Sequence, residues 1–285
     1  MKRIQHFQNK QPTLYLIPTP IGNLEDITLR ALRLLKEVDV VFAEDTRNTR
    51  KLMTHYHIET PLDSYHDFNE TSKMSVLIKL LDEGKNIGLV SDAGMPLISD
   101  PGFHLVQKVN DLGYNVVALP GANALLPALA MSGLKAQPFV FIGFMDSKSK
   151  KRKEVLEKYR YYDETLVIYE SIHRIKQTLS DVFEVFGDRH FVIAREISKS
   201  YEEIIDGYLS EWNELDQLKG ELVLLIDGYR EVINQQSLSI VEQVDYFISQ
   251  GLKKTSAMKK VSQMTHIPKN QIYQEYLKEK MKEDS

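Results

Sequence analysis

From residue 14 to about residue 134, short apolar runs alternate with longer amphipathic stretches. The runs at 14–17, 38–43, 87–90 and 116–119 have the length and branched side chains of buried strands. Between them, Leu29-Arg30-Ala31-Leu32-Arg33-Leu34-Leu35 and Val76-Leu77-Ile78-Lys79-Leu80-Leu81 carry helical spacing, and Gly84 and Gly113 stand where helices end. This alternation predicts a parallel sheet between helical layers, with the helix after the first strand starting near Asp26.

After Gly133-Leu134-Lys135-Ala136-Gln137-Pro138 the pattern changes. Strands are expected at 139–142, 166–169, 191–194 and 221–226, and Glu202-Glu203-Ile204-Ile205-Asp206-Gly207-Tyr208-Leu209 between the last two implies hairpins and a mixed sheet. From about Ser239 the pattern is helical, broken at Gly251 and at Ile267-Pro268. The spacing of Ser256, Val261, Ile267, Ile272 and Tyr276 suggests a helix-turn-helix-like unit. The expected fold class is therefore α/β: a parallel-sheet domain over 1–135, a mixed-sheet domain over 136–232 and a helical extension over 233–285, with no internal repeat.

Composition narrows the chemistry. The 285 residues are 42% hydrophobic and 27% charged, enough for two cores, and no apolar run approaches membrane-spanning length. Met1-Lys2-Arg3-Ile4-Gln5-His6 lacks the apolar core of a secretory signal, so a cytoplasmic location is expected. Without cysteine there is no disulfide, thiolate ligand or cysteine nucleophile. The net charge of −4 conceals two basic stretches: Lys148-Ser149-Lys150-Lys151-Arg152-Lys153, and 253–274 with five lysines and no acid.

Functional residues are expected where strands stop. The strand at 87–90 runs into Ser91-Asp92-Ala93-Gly94-Met95-Pro96-Leu97-Ile98-Ser99-Asp100-Pro101-Gly102, a turn that frees backbone N–H groups for a polar ligand; the plain alternative is a tight structural turn. Pro18-Thr19-Pro20-Ile21-Gly22-Asn23-Leu24 follows the first strand, a rigid wall or merely a connector. Ala43-Glu44-Asp45-Thr46-Arg47 concentrates charge, although Asp45 or Thr46 also suits a helix cap. Ser64-Tyr65-His66-Asp67-Phe68-Asn69-Glu70 is another polar stretch. Leu119-Pro120-Gly121-Ala122-Asn123-Ala124, Phe141-Ile142-Gly143-Phe144, Tyr169-Glu170-Ser171-Ile172-His173-Arg174 and Ala194-Arg195-Glu196-Ile197-Ser198-Lys199 repeat the pattern, so a cleft between two sheets is the natural ligand site. Neither Gly-x-x-x-x-Gly-Lys-Ser/Thr nor Gly-x-Gly-x-x-Gly occurs. His55-Tyr56-His57 does not suit a helical metal pair, and Ser91 and Ser171 lack a nucleophile elbow.

Read together and in order, these motifs resemble the ribosomal RNA small subunit methyltransferase I family, a branch of the tetrapyrrole-methylase-like, class III S-adenosylmethionine-dependent methyltransferases. The resemblance runs from about Leu14 to Gly228. It implies 2′-O-methylation of a cytidine ribose in the decoding region of 16S rRNA, S-adenosyl-L-methionine as donor, no metal, and a homodimer. It implies cofactor contacts from Pro20, Asp92, Ala93, Gly94, Ile98, Ala122, Phe144, Tyr169 and Ala194. A weak ribose nucleophile gains from a positioned base, for which Glu44, Asp45, His66, Glu170, His173 and Lys199 are candidates. Arg47, Glu170 and Arg174 are the expected catalytic and positioning residues. Lys148, Lys150, Lys151, Arg152 and Lys153, then Lys253, Lys254, Lys259 and Lys260, are the expected RNA contacts; a solvated linker is the plain alternative for the first run. A tetrapyrrole methylase is the rival enzyme and a non-enzymatic RNA-binding module the rival of another class; the basic runs disfavour the first and the polar strand ends the second.

Overall fold

Strands hidden on both faces need no alternation, and most strands in the first half of the chain are of this kind. The computed structural model describes residues 3, 5, 6, 8–66, 68–230, 238–249 and 252–283, the last four of these by backbone alone. β1 (Thr13–Leu16), β2 (Val40–Ala43), β3 (Leu62–Ser64), β4 (Ile87–Val90) and β5 (Asn115–Ala118) form one sheet in the order β3-β2-β4-β1-β5, with every neighbouring pair parallel. All carboxyl ends therefore lie along one edge. Helices α1 (Leu29–Glu37), α2 (Thr46–His55), α3 (Glu70–Asp82) and α4 (Phe103–Asp111) link these strands. Ile17, Leu35, Val41 and Leu119 belong to one core cluster, whereas Leu14, Phe42, Leu77 and Leu105 belong to another. Each such side chain contributes about 1.5–3 kcal/mol by leaving water.

The expected strands appear within one or two residues, but α1 begins later than Asp26. A single 3-10 turn covers Leu24–Asp26, and α1 follows only after Thr28, whose side chain accepts from the Ala31 N–H at 3.0 Å. β3, which the apolar pattern does not show, is a three-residue edge strand with a single apolar residue, Leu62.

The second sheet holds β6 (Phe139–Phe144), β7 (Thr165–Ser171), β8 (His190–Arg195), β9 (Glu203–Tyr208) and β10 (Glu221–Ile226) in the order β6-β7-β10-β8-β9. Only β6 and β7 pair in parallel, so the sheet is mixed, with a β8–β9 hairpin as expected. α6 (Ser149–Glu157) and α7 (Ile175–Phe186) cover one face, with Leu156 and Leu179 in its core; α5 (Leu125–Met131) covers the other, where Ala128 and Leu129 cluster with Val167, Val192 and Val223. α5 precedes residue 135 in sequence but belongs to the second sheet by packing.

Both sheets lie in one compact unit, residues 1–229, and residues 230–285 form another. The expected boundary at 232/233 and the break at Gly251 fall outside the described residues. In the second unit α8 (Ile240–Ser249), α9 (Lys254–Thr265) and α10 (Lys269–Glu283) enclose Val244, Phe247, Met258, Val261 and Ile272. Tyr276 Oη donates to Asp245 Oδ1 at 2.6 Å. Ser256 is exposed, while Ile267 packs against this core.

The basic run 148–153 is a helix rather than a linker, and that overturns one expected RNA contact. Arg152 lies one turn before buried Leu156, so its side chain points into the protein and is 0% exposed. Arg152 Nε donates to Asp181 Oδ2 at 2.8 Å, Nη2 lies 2.6 Å from the same oxygen, and Nη1 donates to the Asp146 carbonyl at 3.0 Å. A buried pair of this kind is costly to break from one side, because the remaining charge has no counterpart. In urea unfolding, Arg152→Ala is expected to lower stability by about 3–5 kcal/mol and exposed Lys150→Ala by less than about 0.5 kcal/mol. Equal losses would contradict this placement.

Candidate functional site

The loops beyond β1, β4 and β5 are tied together by backbone groups. Thr19 and Gly94 exchange two hydrogen bonds, each 2.9 Å, in an isolated antiparallel bridge. Ser91 Oγ donates to the Gly94 carbonyl at 3.2 Å, and Thr19 Oγ1 to the Ser91 carbonyl at 3.1 Å. Gly94 sits at φ +83°, which a side chain would strain, and the position of a Cβ there would be 3.6 Å from the Ala122 carbonyl oxygen. Gly121 permits the third loop's approach: a Cβ on it would stand 2.6 Å from Pro18 Cβ.

The loop after β8 meets these strand ends from the other sheet. Ser198 Oγ hydrogen-bonds Asp26, and the Lys199 alkyl chain lies against Gly22. Between the sheets is a cavity of about 510 Å³, within the range of small-molecule sites. One wall is the turn 92–95 with Ile98. The facing wall carries Phe144 and Tyr169, ring centroids 5.5 Å apart, with Ala194 and Val223 beside them. Burial holds the Tyr169 phenol above its ordinary pKa, so it stays neutral. Asp92, Asp100 and Glu221 add carboxylates, which favour a ligand with positive charge.

Seven expected cofactor residues line this cavity: Asp92, Ala93, Gly94, Ile98, Phe144, Tyr169 and Ala194. Ala122 stands behind Gly94, and Pro20 lines a neighbouring pocket of about 330 Å³ that shares Asp92 with the first. The Asp92 carboxylate is structural as well, accepting from the Asp45 N–H at 2.9 Å and from Asn48 Nδ2 at 3.2 Å. Asp45 caps α2, and the Arg47 N–H holds its carboxyl below the ordinary pKa against a smaller opposing effect of desolvation. Helix cap and polar cluster thus coincide at 43–48.

Glu170 lines the cavity but is already engaged. Its side chain is 0% exposed; Oε1 accepts from the Ser171 N–H at 2.7 Å and from Arg174 Nε at 2.9 Å, and Oε2 accepts from Thr178 Oγ1 at 2.6 Å. Glu170 thereby holds Arg174, whose Nη1 also donates to the Met145 carbonyl at 3.3 Å. Arg47 lies outside the cavity, 88% exposed, 3.3 Å from Asp45. For Lys199, burial lowers the ammonium pKa, but hydrogen bonds to Glu221 and Glu196 prevail and raise it, so it stays protonated. His66 is bound through Nε2 to Asn69 at 3.1 Å and does not line the cavity, whereas exposed His173 does.

Of the expected RNA contacts on α6, Lys151 lies 3.5 Å from Asp146 and Lys153 2.6 Å from Glu184; Lys148 and Lys150 make no ion pair among the described residues. In the helical unit Lys253, Lys254, Lys259 and Lys260 are exposed, with the ammonium groups of Lys254 over Tyr276 (4.3 Å) and Lys260 over Phe247 (4.5 Å). The strand-end rule missed Gly220-Glu221-Leu222-Val223, which line the cavity from the start of β10. β10 is antiparallel to β7 and β8, so its beginning lies beside their ends. Ile21, Ser99 and Asn123 also line it; they stand inside the quoted motifs without a distinguishing signal.

Residues 13–213 match the model of the Tetrapyrrole (Corrin/Porphyrin) Methylases family. The chain is 45% identical to "Ribosomal RNA small subunit methyltransferase I" of Bacillus subtilis (strain 168), over 97% of this chain and 98% of the relative. It is also 45% identical to the protein of that name from Halalkalibacterium halodurans, over 98% and 100%. Among solved structures, a diphthine synthase superposes with a TM-score of 0.62 at 13% identity, covering 76% of this chain and 90% of that one, which supports the fold.

The Glu170 cluster is testable by stability. Glu170→Ala strands Thr178 Oγ1 and the Ser171 N–H, so urea unfolding is expected to show a loss of about 1–3 kcal/mol. Wild-type stability would contradict the supporting role.

Proposed function

The chain belongs to the tetrapyrrole methylase family and, within it, to the ribosomal RNA small subunit methyltransferases I, and on that footing we propose that it methylates a cytidine 2′-hydroxyl in the decoding region of 16S rRNA. S-adenosyl-L-methionine is the donor, the small ribosomal subunit carries the substrate, and the enzyme works as a homodimer in the cytoplasm. Near-full-length identity to the Bacillus protein carries this reading.

The cleft's composition supports the donor. Phe144, Tyr169 and Ala194 offer apolar surface for an adenine, the turn at Ala93-Gly94 brings backbone groups close, and the carboxylates of Asp92 and Asp100 suit a molecule bearing ammonium and sulfonium charges. When bound, the donor supplies an electrophilic methyl group on positively charged sulfur.

The protein's share of the reaction is placement. In-line transfer needs the ribose oxygen within roughly 3–3.5 Å of the methyl carbon and aligned with its bond to sulfur, so rigid walls matter more than acid–base strength. The Thr19–Gly94 bridge and the Glu170–Arg174 pair give both walls that rigidity. For the hydroxyl proton, which a positioned base removes with about 10²–10⁴-fold benefit, His173 is the acceptor: it lines the cavity and makes no ion pair among the described residues. Glu170 is engaged and Lys199 protonated.

Two measurements test this reading. Mapping of ribose methylation in 16S rRNA from cells lacking the protein is expected to show one 2′-O-methylcytidine missing from the decoding region, restored on complementation; an unchanged map would contradict the proposal. In calorimetric titration, Gly94→Val is expected to weaken S-adenosylmethionine binding at least about tenfold by straining and crowding the turn. Gly84→Ala, at φ +82° with no atom within 4 Å of its Cβ, is expected to bind normally.

A further inference from the structure

Rigid walls do not by themselves fix the distance between them, and the cofactor proposed above is held from both sides of the cleft. Ile21, in the loop after β1, and Ile197, in the loop after β8, both line the cavity and pack in one apolar cluster with Ala194 and Val223. The neighbours of these two residues form a second contact. Ser198 Oγ hydrogen-bonds Asp26 Oδ2, a pair 172 positions apart in the chain. The Lys199 alkyl chain lies against Gly22, which sits at φ +150°; a Cβ there would stand 2.5 Å from Lys199 Cγ, so glycine permits the approach.

The loop after β8 is held in shape to make these contacts. Glu196 at φ +51° and Ser198 at φ +68° both occupy the left-handed region, which an L-residue enters only where its surroundings hold it. The Glu196 N–H donates to the Glu221 carbonyl and the Glu221 N–H to Glu196 Oε1, each at 2.9 Å. Lys199 Nζ donates to Glu196 Oε1 and Glu221 Oε2, each at 2.9 Å, and the Ser198 N–H to Glu202 Oε2 at 2.7 Å. The loop is thus one piece with the start of β10, where Gly220, Glu221 and Val223 line the cavity. A hairpin can close with two residues, whereas residues 196–202 connect β8 to β9 and reach the other sheet's loop on the way.

We propose that Ser198 and Lys199 are positioning residues for methyl transfer: they clamp the second sheet's wall of the cleft to the loop after β1 and so fix the width across which the cofactor lies. The inference rests on the methyl-transfer reading proposed above. The clamp acts through Ile197 and Ala194 on one side and Ile21 on the other, and touches neither reacting group. It matters because the turn at Ala93-Gly94 and the rings of Phe144 and Tyr169 stand on opposite walls. A shift of about 1 Å between those walls takes the methyl carbon out of line with the incoming oxygen, at a cost of about a hundredfold in rate, while each wall keeps its own contacts.

The chain has no cysteine, so Asp26→Cys with Ser198→Cys places a single thiol pair across the clamp. Dithiothreitol keeps the pair reduced and the clamp untied; glutathione disulfide, which takes up the two electrons and two protons, ties it covalently. The readout is single-turnover methyl transfer to small-subunit particles at saturating cofactor, at a temperature below the thermal midpoint of both forms. The rate is expected to fall about ten- to hundredfold in the reduced form and to return to within about threefold of wild type in the oxidised form, with cofactor Kd moving less than about threefold in either. A residue that only stabilised the fold would move the midpoint and not this rate. Lys199→Ala, which removes the packing on Gly22, is expected to lose rate in the same way, and Lys199→Arg to keep most of it. Wild-type rate in the reduced form or in Lys199→Ala, no recovery once the disulfide has formed, or failure of the two thiols to pair overturns the inference and leaves the methyl-transfer reading intact. Failure of the wild-type chain to methylate the particles overturns both.

Discussion

Two backbone hydrogen bonds between Thr19 and Gly94 set the geometry on which the remainder depends. A parallel sheet delivers its strand ends to one edge but does not fix the loops beyond them. This bridge does so for the loops after β1 and β4, and the contact of Gly121 with Pro18 brings in the loop after β5. The resulting wall is made largely of main chain. Side chains line its two sides: an aromatic cleft toward the second sheet and a smaller recess toward α2.

Charge is distributed so that structural and functional groups can be told apart. Arg152 with Asp181, and Glu170 with Arg174, are buried or half-buried ion pairs, and removing one member is costly on desolvation grounds. Lys199 is bound between Glu196 and Glu221 where the two halves of the cleft meet. Arg50, Lys51, Lys148 and Lys150, by contrast, are exposed and make no ion pair among the described residues. A polyanionic substrate makes use of that arrangement, because phosphate contacts gain affinity from releasing counterions without having to break internal pairs.

The fold was legible wherever burial imposed a pattern. β4 reads directly from Ile87-Gly88-Leu89-Val90, and the β8–β9 hairpin from the placing of Glu202 to Leu209 between two expected strands. β3 was not legible, since a three-residue edge strand buries too little to need apolar residues. The site was legible through the rule that parallel strands end at ligands. That rule finds Asp92, Gly94, Phe144 and Tyr169, and misses Glu221 and Val223 because β10 runs the other way. Arg152 shows the limit of reading charge from composition: a basic run appears uniform in sequence, but helical periodicity turns one member inward.

The central claim is that the turn after β4 and the aromatic wall of the second sheet close on S-adenosylmethionine from opposite sides. Hydrogen–deuterium exchange of the full chain with and without S-adenosylmethionine tests it most directly, since amide protection reports which backbone segments a ligand steadies. Slowed exchange is expected in peptides covering Ser91 to Ile98 and Ile142 to Phe144, with α6 and the helical unit unchanged. Binding that left both of those segments exchanging at their free rates would contradict the account.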